Sequence, residues 1–214
     1  MALSKVDFNS INVTPAASKA IKFNSSNNGF ETGDVGGSLV LISTQTASSS
    51  ATIDFTSGID STYKEYIFKF IDIHPATDEA HLTFQADTGT NTNYNQTITS
   101  TFFRAYHDEA DNNTQLAYIA AQDLAQSTSF KQLNHKQGNG NDESAAGTLQ
   151  IFNPASTTFV KHFIGRNQYY YYDDYSMDVF TAGYFNTTTA LTRVRFKMSS
   201  GNIDSGTIKM YGVT

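Results

Sequence analysis

The sequence predicts an all-β protein, an antiparallel two-sheet β-sandwich of jelly-roll type behind an extended N-terminal arm. Three observations predict it. From Ser38 onward, short stretches alternate apolar and polar residues at period two, separated by Gly, Asn, Asp and Ser clusters. No strand-helix-strand alternation interrupts them, which favours two packed antiparallel sheets over a parallel α/β fold. Residues 1–37, by contrast, scatter Val6, Phe8, Ile11, Ile21, Phe23 and Phe30 among Ser, Asn, Thr and Gly, too sparsely to build a core. Such an arm can add a strand or apolar anchors to a neighbour. Gly33, Gly36 and Gly37 form a joint before the apolar run SLVLIS, dividing the chain into an arm (1–37) and a sandwich domain (38–214).

The body's elements follow in order. Ala51, Ile53 and Phe55 alternate with Thr52, Asp54 and Thr56, and Ala80, Leu82, Phe84 and Ala86 with His81, Thr83, Gln85 and Asp87, so both read as half-buried strands. Between them, KEYIFKFIDI sets Tyr66, Phe68 and Phe70 on one face and Ile67, Ile71 and Ile73 on the other, the mark of a central strand covered twice. Further strands are expected over 94–107, 147–153, 157–165, 177–186, 191–198 and 206–213. In residues 114–125, Leu116, Ile119, Ala120 and Leu124 suit a helical face as well as a short strand, and strand with loop is the reading adopted. Val194, Phe196 and Met198 face away from Arg193, Arg195 and Lys197, and SSGNIDSG then turns the chain into a C-terminal hairpin. No fixed repeat suggests a solenoid or propeller.

Composition narrows the function. In 214 residues only 16% are charged, the net charge is −6, and no Lys/Arg run forms a basic stripe, so nucleic acid is not an expected partner. With no cysteine, disulfides, thiolate metal sites and Cys nucleophiles are excluded. Neither a secretory apolar stretch nor 18 consecutive apolar residues occurs, so synthesis in a cytoplasm without a signal peptide and no membrane insertion are expected. The nucleophile-elbow, phosphate-loop and zinc-protease signatures are missing, and no cofactor is expected.

The most conspicuous local feature is NQYYYYDDY. Tyr169, Tyr170, Tyr171, Tyr172 and Tyr175 with Asp173 and Asp174 suit a glycan-binding surface, in which rings stack on sugar C–H groups and carboxylates accept hydroxyl hydrogens. The same residues suit packing inside the sandwich or a subunit interface, which is the favoured reading, or an exposed loop of no special role. The 87–95 loop is a second candidate for glycan contact. Asp87, Asn91 and Asn93, and Asp108, Glu109, Asp111, Asn112 and Asn113, could offer oxygen ligands to a cation, but Asx-rich turns look the same without one, and no metal is assigned. His74 and His81 read as surface groups. A glycosidase-like carboxylate pair could be drawn from many acidic residues, which leaves that option open and unspecific.

SLVLISTQTASSSATIDFTSGIDSTYKEYIFKFIDIHP, TTFVKHFIGR, SGTIKMYGV and the leader AIKFNSSNNGFETGDVGG resemble virion structural proteins of tailed bacteriophages, marine ones in particular. The similarity runs through most of the chain, on strand and turn patterns without a catalytic motif. It implies a jelly-roll or lectin-like sandwich that projects from the virion surface as a capsid decoration (cement) or fibre protein. The implied partners are major capsid or tail proteins, and the implied state is a homotrimer. A receptor-binding adhesin for host-surface glycans is the alternative, and a glycan-degrading enzyme a more distant one.

Overall fold

The computed structural model describes Val13, residues 19–34 and residues 38–214. It divides into two compact units, residues 1–38 and 39–214. In the first, β1 (Lys19–Phe23) and β2 (Phe30–Asp34) pair antiparallel, with Phe23 opposite Phe30. Their rings stack with centroids 5.0 Å apart. Asn24 closes the turn: its side-chain oxygen accepts from the Asn28 N–H, and its backbone N–H donates to the Gly29 carbonyl. The leader read as extended therefore carries a hairpin of its own. Cross-strand pairing of two aromatics supplies what its sparse apolar content could not supply as a core. Of the arm residues singled out in the sequence, Ile21, Phe23 and Phe30 lie on this hairpin and are exposed, while Val6, Phe8 and Ile11 lie outside the described residues.

The second unit is an antiparallel two-sheet sandwich. Its large sheet contains β3 (Leu39–Ser50), β5 (Glu65–Pro75), β7 (Ile98–Asp108), β8 (Thr114–Tyr118), β10 (Ala145–Phe152), β11 (Lys161–Tyr171), β12 (Tyr175–Phe185) and β14 (Ile203–Val213), in the order β3-β14-β5-β10-β11-β12-β7-β8. Its small sheet contains β4 (Ile53–Phe55), β6 (Leu82–Thr88), β9 (Lys131–Gln132) and β13 (Leu191–Met198), in the order β4-β13-β6-β9. The chain crosses repeatedly from one sheet to the other, as in jelly rolls. Between them lies an aromatic core: Phe196 of the small sheet stands 5.3 Å from both Phe68 and Phe70 of the large one, and Phe84 stands 5.1 Å from Phe163. Residues 114–125 form β8 followed by a 3-10 turn at Ala120–Gln122, which agrees with the strand-and-loop reading.

Three local expectations need correction. The C-terminal pair is not a hairpin: β13 pairs with β4 and β6, whereas β14 pairs with β3 and β5. Each strand buries one apolar face, and the SSGNIDSG turn carries the chain over the edge of the core so that those faces oppose. Second, β6 is buried on both sides, with Thr83, Gln85 and Asp87 inaccessible. Loop backbone covers its polar face, as the Gln85 amide donates to the carbonyls of Gln96, Thr128 and Ser129. Third, β5 is covered once. Tyr66, Phe68 and Phe70 are buried while Ile71 stands exposed, and Asp72, at φ 51°, makes a bulge that turns Ile73 into the core. Opposite it, Gly206 has φ 117°, and a Cβ there would lie 2.5 Å from the Asp72 carbonyl oxygen, so the bulge requires glycine.

Candidate functional site

The tyrosine run is not a loop. β11 extends through Tyr171, a three-residue turn holds Tyr172, Asp173 and Asp174, and β12 begins at Tyr175, which pairs with Tyr171. Asp174 takes φ 58° to close the turn, a conformation that Asp tolerates better than most residues. Strand alternation then separates the tyrosines.

Tyr169 is wholly buried; its hydroxyl donates to the His135 carbonyl at 2.7 Å and accepts from the His135 N–H at 3.0 Å. Burial pushes its ionisation well above the usual tyrosine range. Tyr170 points to the outer face, where its hydroxyl donates to Asp174 Oδ1 at 2.9 Å, on a shelf of about 230 Å³ with His107, Glu109 and Gln168. Tyr171 and Tyr175 face inward, beyond the end of the core. Tyr172 lies tilted against Tyr171, ring centroids 4.7 Å apart, with Lys136 Nζ 5.0 Å from its own centroid.

Tyr171, Asp173 and Tyr175 meet Arg104, Tyr106 and Met177 around a cup of about 130 Å³. Along β7, Ile98, Ser100 and Phe102 are buried, and Arg104 and Tyr106 continue the same inward series past the core's end. Tyr175 meets Tyr106 and Tyr171 edge to face, at 5.3 and 5.6 Å. The Arg104 guanidinium lies 5.5 Å from the Tyr106 ring centroid. Its Nε is buried without a hydrogen-bond partner, and among the described residues Arg104 makes no ion pair. Sequence reasoning missed Arg104, Tyr106 and Met177; the available signal was polar residues at inward positions of a strand whose earlier inward positions are apolar.

Behind the cup, His135 and His81 stack at 4.7 Å. Burial, then the charges of His81, Arg104 and Lys136, push His135 down to about 4. Its folded value lies below its unfolded one of 6.5, so the fold favours the neutral ring. The stability this contributes is full above pH 6.5 and is lost as the pH falls toward 4. Between those values the protein should lose at most about 3 kcal/mol from this residue, and less to the extent that solvent screens the half-buried ring. Melting temperatures from pH 7 to 4 should show His135→Gln with a flatter acid limb than the parent; identical limbs would refute the assignment.

Elsewhere, the 87–95 loop is occupied with its own architecture. Asp87 is buried, and its carboxylate accepts from the N–H groups of Thr88 and Tyr94 and from the Gln96 amide. Asp108 likewise accepts from the backbone of Asn112 and Asn113, the Asn113 bond being foremost among those that hold its acidity below the usual carboxylate range. His74 sits 3.6 Å from Asp204, apart from the His81–His135 stack. Among the described residues, no three of His, Asp and Glu come together to hold a metal. Asp72, Asp142, Glu143 and Asp204 line a polar cleft of about 430 Å³ with His74, and Glu143 is tied to the Gly140 N–H at 2.6 Å.

The outer face of the large sheet is the other conspicuous surface. Cross-strand register sets Leu41, Tyr211, Ile67, Gln150, Ile164, Ala182 and Thr101 in one row, and Lys209, Lys69, Thr148, Arg166, Phe180, Phe103 and Tyr118 in the next. Ile164 is 51% exposed, Phe103 37%, Tyr118 58% and the neighbouring Leu116 74%. Phe103 and Phe180 stack in parallel at 4.9 Å, with the Arg166 guanidinium 4.9 Å from the Phe180 ring centroid. Ile164, Ala182, His162, Tyr184 and Phe152 bound a broad depression of about 670 Å³. No family model, no curated protein and no solved structure matches this chain.

Proposed function

We propose that this chain is a non-enzymatic structural protein of a virion, fixed to the particle by residues 1–37 and packed against copies of itself through the outer face of the large sheet. The observation that carries the reading is that face. Leu41, Ile164, Phe103, Leu116 and Tyr118 all stand exposed on this face, and large apolar groups gathered on one face mark association surfaces. Its apolar groups form two zones joined by Ile164: Leu41, Ile67 and Tyr211 toward one edge, Phe103, Phe180, Leu116 and Tyr118 toward the other. Two different zones on one face suit a head-to-tail contact, which forms a ring where its rotation closes, and a homotrimer is the smallest such ring. The resemblance to phage structural proteins supports the virion setting, whether as a capsid decoration or a fibre.

The hairpin of the leader exposes Ile21, Phe23 and Phe30, three apolar groups for a capsid or tail partner to cover. Deleting residues 1–37 should leave a folded body that no longer joins particles, judged by its absence from purified virions. Full occupancy by the truncated chain would contradict the docking role. The aromatic cup favours a second reading, a receptor-binding adhesin for host-surface glycans, which is compatible with the first because the cup and the outer face lie on opposite sides of the large sheet.

A further inference from the structure

The geometry points to the Arg104 cup as a binding site for a carboxylate-bearing sugar, a terminal uronic or sialic acid unit. This rests on the glycan-binding reading and is independent of self-association. Three observations carry it. Arg104 holds a guanidinium whose Nε is buried and unpartnered, and it makes no ion pair among the described residues. The Arg104 side chain lines the cup, and among the described residues its guanidinium makes neither a hydrogen bond nor an ion pair, which leaves it to a partner from outside the chain. The guanidinium fork matches a carboxylate in plane and spacing, forming two parallel N–H to oxygen bonds.

The remaining lining fits the rest of such a ligand. Tyr175 meets Tyr106 and Tyr171 nearly at right angles, so aromatic surfaces of different orientation border the cup and a saturated ring can lie against them. Asp173 borders the same space and accepts from sugar hydroxyls, which a simple inorganic anion lacks. The cup holds about 130 Å³, less than a whole sugar unit occupies, so the carboxylate end of a unit enters it and the rest of the ring lies at its rim. A few converging polar groups in an otherwise aromatic cavity is the usual constitution of a small-ligand site. The charges facing it are Arg104 and Asp173, with Asp108 near Tyr175 and Lys136 near Tyr171. Asp173 at the rim thus disfavours a multiply charged anion and admits one carboxylate at the guanidinium.

Titration of the full chain with sialyllactose, glucuronic acid and lactose, followed by ligand-observed NMR, tests this. Saturable binding of either acidic sugar, with lactose at least tenfold weaker, is the expected result. Arg104→Met should abolish that preference with little change in melting temperature, because the contact with the Tyr106 ring is all it loses; Phe159→Ser, at the opposite end of β11 from the cup, should retain it. Equal binding of lactose and the acidic sugars would overturn the carboxylate assignment while leaving the cup a sugar site. Saturation by none of the three would overturn both the site and the glycan reading on which it rests.

Discussion

Replacing Phe196 with alanine should lower the stability of the sandwich by about 3–5 kcal/mol, the usual cost of emptying a buried phenylalanine site. Phe196 is wholly buried on β13, with Phe68 and Phe70 of the large sheet at 5.3 Å and Phe55 and Phe84 of its own sheet at 6.1 and 6.4 Å. With Phe55 and Phe84, which meet Phe68 and Phe163 across the core, it is one of the rings through which the two sheets grip each other. Phe68, Phe70 and Phe84 are held by β-ladders on both sides, so the void collapses little, and the cost should lie toward the upper end of the range. Guanidinium unfolding at one fixed protein concentration should show a lower midpoint with an unchanged slope. A loss below about 1 kcal/mol would mean that the sheets do not pack through this residue.

The second large effect falls on association. Changing Phe103 and Ile164 together to aspartate should weaken self-association by about 100-fold or more, because each change would bury an unpaired carboxylate in the contact. Both residues are substantially exposed within one chain, so the isolated sandwich should stay folded, with a melting temperature at or slightly below that of the unassembled parent. Phe159→Asp provides the control. Phe159 is 68% exposed in the loop between β10 and β11, away from the rows that surround Ile164, and its replacement should leave the mass in solution unchanged. Loss of association in both variants would point to a general effect of charge and against this face.

How much of this was legible beforehand depends on which force governed each segment. Where one face of a strand meets the core and nothing else intervenes, alternation is sufficient: Tyr66, Phe68 and Phe70, and Val194, Phe196 and Met198, are buried as their spacing predicts. Alternation failed at Asp72, where a bulge forced by its pairing with the Gly206 region shifted the phase by one residue. It failed also along β6, whose Gln85 and Asp87 look solvated in sequence and are covered by loop backbone that no local pattern announces. The pairing of β13 and β14 was misread because two amphipathic strands joined by a turn carry the same signature whether they pair or face each other across a core. In the candidate site, the tyrosines were visible and their division was not. Tyr169 serves the core, Tyr170 the outer face, and Tyr171 and Tyr175 the cup, a partition that follows once the hairpin turn is fixed at 172–174. Arg104 and Tyr106, from a strand more than 60 residues earlier in the chain, join them only through the pairing of β7 with β12.

Sedimentation equilibrium of the full-length protein at several micromolar concentrations bears most directly on the proposal that copies meet through the outer sheet face. The account predicts a species of about three times the 23.5 kDa chain mass, reduced to one chain mass by Phe103→Asp with Ile164→Asp. A protein that remains at one chain mass across that range, with the face intact, would contradict it.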